Sequence, residues 1–489
     1  MLKCSNDSEL LAPAGSFEKA KYALEFGADA IYAGLPDFSL RARINKFDEK
    51  QIVEAIKYAH NKNKKIYITV NIFAHNRHLN ILQKHLRIFR NNLPDAFVAS
   101  DAGVIRIIKK ILPKASIHLS TQANTTNWQS AKFWHKQGIK RIVLARELTL
   151  EEIKEIHEKV PKLELEYFVH GAMCMAYSGR CLLSSWQVGR SSNLGDCAQN
   201  CRWRYKLVEE KRPDEYIPVE QDEQGSYLLN SKDLCLIEHL DDLKNAGITS
   251  FKIEGRAKSV YYLSQVVKAY RMALDINLNR DLNKNSNSKK IDTFSTAVGK
   301  VSINKNITSL NTAVSKEVIG KNKKIEIKKL KNDLMKLSNR TFTTGFLFGD
   351  CKFKGQETRF SHIEEDYEFV GEIIELESKK LKVKSKNSNI IKIRVHNAIF
   401  AGDRVEFIQP MKNNIFCKIK NIYDDKTLEK IKSAHGGQDR VVYIEISKTP
   451  EVFSVIRKKI LVLTKIKNGL KFSYFFLIKL SKECYRLQK

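Results

Sequence analysis

Eight short apolar runs alternate with helix-patterned segments across residues 1–275, and this rhythm limits the fold before any motif is considered. The runs are Leu10–Ala14, Ala30–Gly34, Ile66–Asn71, Ala96–Ser100, Ile117–Ser120, Ile142–Ala145, Leu165–Val169 and Phe251–Ile253. Each is short for a helix. Most are rich in Val, Ile, Leu, Tyr or Phe, as strands buried on both faces of a parallel sheet are. Between the first two, Phe17–Phe26 sets Ala20, Ala23 and Leu24 on one helical face, and Gly27 is placed to end that helix. Eight strands joined by crossover helices predict an α/β fold, a closed (β/α)8 TIM-like barrel over 1–275. The rhythm breaks between the seventh and eighth runs, where a further short run, Tyr227–Leu229, and a group of cysteines intervene.

Five of the nine cysteines fall in that break: Cys174, Cys181, Cys197, Cys201 and Cys235. The opening MLKCSNDSELLAPAG lacks the apolar core of a secretory leader. Near the end, Tyr474–Leu480 is interrupted by Lys479 and is too short to span a bilayer. A cytoplasmic protein without membrane association is therefore expected, and in that compartment thiols stay reduced. Clustered reduced thiols point to metal. The intervals are six, fifteen, three and thirty-three residues. Structural zinc sites usually show two close pairs, and here only Cys197 and Cys201 make one. Wide, uneven spacing better suits a cube-shaped iron–sulfur cluster whose iron corners face different ways, with zinc as the alternative. Arg180, Arg202 and Arg204 stand close enough in sequence to offset its charge. Cys4, Cys351, Cys417 and Cys484 are scattered and read as ordinary small residues.

Beyond the barrel, 276–340 reads as a linker followed by a helical, Lys-rich segment, with NLNRDLNKNSNSKK (277–290) lacking apolar periodicity. Over 341–430, alternating runs between Tyr367 and Ile422 predict a small C-terminal antiparallel β-barrel. A basic extension, 431–489, closes the chain, and its end from Arg457 on reads as a frayed tail rather than a binding surface. The net charge of +30 suggests a polyanionic partner such as a nucleic acid. Lysine, asparagine and isoleucine are abundant throughout, however, and such a bias raises the charge without any partner.

The segment EYFVHGAMCMAYSGRCLLSS (166–185) resembles the signature of the collagenase-like peptidases of unknown catalytic type, family 32. NSKDL (230–234), FKIEGR (251–256), LLAPAGSFEKAKYALEFGADAIYAG (10–34) and Arg41-Ala42-Arg43 are similar to further blocks of that family. The resemblance covers about 9–275, with weaker similarity in FTTGFLFGD (342–350) and the C-terminal region. Relatives in this family are oxygen-independent hydroxylation proteins with a four-iron, four-sulfur (4Fe-4S) cluster. They act on tRNA wobble uridine, ribosomal RNA cytidine or the ubiquinone ring, with prephenate as co-substrate. HGAMCMAYSGRCLLSS with NSKDL is most similar to the tRNA branch, which makes 5-hydroxyuridine. The resemblance implies Cys174, Cys181 and Cys197 as cluster ligands, with either Cys201 or Cys235 as the fourth. It also implies tRNA and prephenate as partners, with an electron-donor protein as a further candidate.

Hydrolysis has less support in the residues. The chain has no HExxH and no GxSxG. A cysteine nucleophile paired with His170 stays open, so a collagenase-like peptidase is carried as an alternative, beside a non-catalytic RNA-binding protein. Barrel active sites lie at the C-terminal strand ends. The polar residues there are Arg41, Arg43, Asn71, Gln122, Arg146, Glu147, His170, Glu254 and Arg256. Prephenate has two carboxylates, which guanidinium groups hold well. Arg41, Arg43, Arg146 and Arg256 are the expected substrate ligands, with a surface salt bridge as the other reading of Arg146. His170 and Glu254 are the expected acid–base residues, with a packed, loop-orienting role as the other reading of His170. By analogy alone, the C-terminal domain resembles the β-barrel of translation factors and would offer a second RNA contact.

Overall fold

All eight apolar runs are strands of one barrel. The computed structural model describes residues 8–40, 45–203, 230–285, 311–349, 355–357, 362–363, 366–376, 389–437 and 439–460. The strands in chain order are β1 (Glu9–Ala14), β2 (Ala30–Gly34), β3 (Lys65–Val70), β4 (Ala96–Ala99), β5 (Ile117–Leu119), β6 (Arg141–Val143), β7 (Glu164–Ala172), β8 (Asp233–Cys235) and β9 (Ile248–Ile253). Strands β1 to β7 pair in parallel, and β9 pairs with both β7 and β1, closing a ring of eight. Strand β8 lies outside that ring, antiparallel to the end of β7, with Cys235 opposite His170.

Local chemistry sets the crossover helices. Ser16 caps Phe17–Glu25 by accepting from the Lys19 amide, and Gly27 leaves that helix with φ of 104°. Asp48 with Gln51, and Thr149 with Glu152, form capping boxes at Glu49–Asn61 and Leu150–Lys159. Each helix turns its apolar stripe onto strands such as β1, where Leu10, Leu11 and Ala12 are fully buried.

The barrel interior is not wholly apolar. Glu9 is ion-paired with Arg141 and accepts from the Tyr67 hydroxyl at 2.7 Å. Lys252 pairs with Glu166 at 2.6 Å, and Arg141 with Glu164 at 2.7 Å. Burial raises the Glu9 carboxyl, and the Arg141 guanidinium overcomes this, holding it down at about 2.

Domain boundaries differ from those expected. The first compact unit runs to Ile363, and the second begins at Glu364. The reason is β10 (Phe342–Thr343), which pairs in parallel with β8, while Arg340 holds the buried Asp233 at 2.6 Å. FTTGFLFGD thus belongs to the barrel. The linker expected from 277 is also displaced, because helix Val260–Asn285 continues through its first residues and Asn311–Leu334 forms a second long helix. The run Tyr227–Leu229 lies outside the described residues, as do 286–310 and the tail from 461.

The second unit is an antiparallel sheet in the order Ile415–Lys418, Arg404–Ile408, Val455–Lys459, Tyr367–Glu375, Asn389–Val395, Val441–Ile446, Asn421–Asp424 and Lys430–Ile431. It wraps a core that includes Val370, Ile391, Phe407, Ile444 and Ile456. Two of its inner strands follow residue 430, so the extension expected from 431 instead completes this sheet up to Lys459. Among the described residues no helix is long and apolar enough to cross a membrane.

Candidate functional site at the barrel mouth

The mouth is shaped where β7 and β9 end. Gly171 has φ of 106°, and a Cβ there would lie 2.4 Å from the Glu254 carbonyl oxygen, so only glycine permits this approach. The Glu254 amide donates to the His170 carbonyl at 2.9 Å, locking the two strand ends together. Arg146, beyond β6, donates to the Ala172 carbonyl at 2.7 Å and lies 3.9 Å above the Phe168 ring. Its other nitrogen is 3.9 Å from the Glu254 carboxylate. Arg146 is therefore fixed at the mouth, not paired on an outer surface.

Arg256 is buried, and both of its terminal nitrogens donate within the protein. It reaches the Leu40 carbonyl at 2.8 Å and the Ser39 hydroxyl at 3.1 Å. It thereby tethers the loop that leads to Arg41. Arg41 and Arg43 themselves lie outside the described residues.

His170 is buried among the rings of Tyr270, Phe342 and Tyr262, with Nδ1 3.3 Å from the Tyr270 hydroxyl. Burial pushes its imidazole down to about 4, against the opposing pull of Asp233. It is thus a neutral packed ring at pH 7. Cys235, opposite it, lies 3.7 Å from the Tyr270 oxygen, whose hydroxyl donates to the Val169 carbonyl at 2.7 Å, and burial pushes the Cys235 thiol up to about 11.

The remaining four cysteines of the break lie on one loop, pinned to the mouth by polar residues singled out in the sequence. Arg180 donates to the Gln122 carbonyl at 2.9 and 2.6 Å, and the Gln122 side chain accepts from Asn71 at 3.1 Å. Glu147 accepts from the Ser178 amide at 2.7 Å, stabilising a left-handed residue with φ of 48°. No disulfide joins the thiols. Burial raises the Cys201 thiol, Arg202 lowers it, and charge on Cys174 and Cys197 raises it again, so these three sulfurs feel one another. The Gln199 amide donates to the Cys197 Sγ at 3.4 Å. Among the described residues no three His, Cys, Asp or Glu side chains converge closely enough to ligate one metal ion.

Beside Cys174 opens a pocket of about 390 Å³, bordered by Glu147, Met175, Tyr177, Phe346 and Gln356 as well. Sequence reasoning did not single out Tyr177, Asp233, Arg340 or Gln356. Tyr177 and Asp233 lay within the quoted motifs. Arg340 and Gln356 come to the mouth from more than a hundred residues away, as their bonds to Asp233 and Met175 show, and had no local signal.

Fold and site together define a closed parallel barrel whose mouth is capped by a cysteine-bearing loop inserted before its last strand. The chain belongs to Peptidase family U32, whose model matches residues 15–302, with the U32 C-terminal domain matching 365–457. It is similar to tRNA hydroxylation protein P of Haemophilus influenzae, at 33% identity over 94% of this chain and 98% of that one. The protein of the same name from Escherichia coli is 42% identical over 55% of this chain and 68% of its own length. A relative called collagenase, from Porphyromonas gingivalis, is 33% identical over 55% of this chain and 66% of its own.

Proposed function

We propose that this chain hydroxylates the wobble uridine of tRNA to 5-hydroxyuridine without molecular oxygen, using a 4Fe-4S cluster at the barrel mouth and prephenate as co-substrate. One observation carries the reading: Cys174, Cys181, Cys197 and Cys201 stand on one loop with no disulfide among them, and Cys174 borders the pocket. The full-length similarity to a tRNA hydroxylation protein supports it, as does the net charge of +30 against a phosphate backbone.

Four thiols on one loop, none in a disulfide, are the donor type that an iron–sulfur cluster takes. A cubic cluster takes each thiolate at a separate iron, so its sulfurs need not meet around one point as four zinc ligands must. The side chains that would hold it are Cys174, Cys181, Cys197 and Cys201. Cys235 stands apart from that loop, on β8 opposite His170. When bound, the cluster supplies one-electron redox chemistry. The Gln199 amide stabilises charge on the Cys197 sulfur, and Arg202, half-buried beside Cys201, offsets more of it.

Arg146 is the described guanidinium best placed for a prephenate carboxylate, with Glu254 keeping it at the mouth. His170 is read as a positioning residue, because a ring held neutral under three aromatic side chains orients β7 instead of exchanging protons with a substrate. An electron-donor protein and a cytoplasmic setting complete the proposal.

Cysteine-type hydrolysis at His170 has the wrong polarity. Its neighbour Cys235 is a thiol held protonated by burial, whereas a nucleophile needs a lowered pKa. Mass spectrometry of tRNA nucleosides from a strain lacking this gene tests the proposal. Loss of 5-hydroxyuridine, restored by the wild-type gene, is expected, and an unchanged level would refute it.

A further inference from the structure

We infer that the pocket beside Cys174 receives the target uracil base, stacked on Tyr177 and Phe346 and read by the carboxamide of Gln356. The inference rests on the tRNA reading above and assigns the place within the mouth where the base goes.

The polarity of the pocket separates two kinds of ligand. Among the described residues its one charged lining residue is Glu147, and none of them that borders it is a lysine or arginine. A dicarboxylate would meet repulsion from the Glu147 carboxylate there. A neutral heterocycle would not. The guanidinium of Arg146 instead reaches the Ala172 carbonyl and the Glu254 carboxylate, so the cation and the pocket offer separate subsites for anion and base.

The walls suit a planar ring. Tyr177 is 51% exposed although it borders the pocket, which leaves aromatic surface available for stacking, and Phe346 lines it as well. The volume of about 390 Å³ lies within the ordinary range for small-ligand sites, enough for a nucleobase with part of its sugar.

Gln356 supplies the polar reading head. An isolated bridge with Ser231 fixes its backbone, and the Glu357 amide donates to the Asn230 carbonyl at 2.8 Å beside it. Its Nε2 donates only weakly, to the Met175 Sδ at 3.7 Å. Its Oε1 is shut off from solvent, and no donor among the described residues reaches it. A buried acceptor without a donor is costly, so a ligand donor is its natural complement. The imide edge of uracil presents that donor at N3, flanked by carbonyl oxygens that accept from an amide N–H, so one carboxamide can make both bonds. The base would then lie against Cys174, next to the loop thiols.

The test uses the full chain and two single-stranded heptanucleotide RNAs, one with a central uridine and one abasic at that position. Wild type should bind the uridine RNA about tenfold more tightly, the scale of one stacked base. Gln356→Leu and Tyr177→Ala should remove that difference while leaving the abasic affinity unchanged, and Tyr177→Phe should retain it. Tyr177→Ala alters a half-exposed side chain and guards against a folding defect in the Gln356 variant. Equal affinity of wild type for both RNAs would overturn the inference. So would variants that keep the preference or that weaken both RNAs alike. Complementation of the deletion strain separates the two claims. If wild type and both variants restore 5-hydroxyuridine equally, the base pocket is wrong and the tRNA reading stands. If deletion leaves 5-hydroxyuridine unchanged, the tRNA reading itself fails.

Discussion

The hydroxyl of Tyr270, on helix Val260–Asn285, donates to the Val169 carbonyl at 2.7 Å and lies 3.7 Å from the Sγ of Cys235. Cys235 is thereby packed on β8 opposite His170, while Cys201 lies on the loop that bears Cys174, Cys181 and Cys197. Of the two sequence candidates for fourth ligand, we propose Cys201, which shares the loop of Cys174, Cys181 and Cys197. Cys201→Ser should lose most bound iron, and Cys235→Ser should keep it. Iron analysis of the two purified variants decides this, and the reverse pattern would move the fourth ligand to Cys235.

Gly171 should tolerate no side chain. Gly171→Ala places a methyl 2.4 Å from the Glu254 carbonyl oxygen at φ of 106°, so β7 and β9 must part at the mouth. A loss of about 3 kcal/mol in urea unfolding is expected, from backbone strain and lost strand pairing together. A change within about 0.5 kcal/mol would show that the strand ends are not locked as described.

Arg146 should matter to the co-substrate more than to the fold. Arg146→Met keeps apolar contact with Phe168 but removes the guanidinium that the mouth offers to a carboxylate. The KM for prephenate should rise by about tenfold or more, the scale of one lost charge-assisted pair, with thermal stability little changed. An unaltered KM would place the carboxylates elsewhere.

Acid should unfold the barrel through Glu9. Its folded pKa of about 2 lies below the ordinary 4.5, so the unfolded chain binds that proton more tightly. The contribution is fully present above about pH 4.5 and is lost as pH falls toward 2. Its size is about 3 kcal/mol. Glu9→Gln should flatten stability against pH over that window in urea titrations. An unchanged slope would remove Glu9 as the cause.

Much of this molecule was legible in its sequence. All eight barrel strands lie where short apolar runs stood, because strands buried on both faces show little but their apolar side chains. The caps Ser16, Asp48 and Thr149 are local signals of the same kind. What stayed hidden depends on distant partners. Asp233 could not announce Arg340, nor Glu9 announce Arg141, because ion pairs between remote positions leave no periodicity. The domain boundary was misplaced for that reason: Phe342–Thr343 is too short a strand to signal that it pairs with β8. His170 could be read as a proton carrier or as a packed ring, and only the three rings that enclose it, from distant positions, favour the second.

The most direct test is the metal content of the full chain purified without air. The loop thiols predict brown protein with about four iron and about four acid-labile sulfide per chain, lost together in a Cys174→Ala variant. Colourless protein lacking iron and sulfide, or protein carrying one zinc ion per chain, would contradict the account.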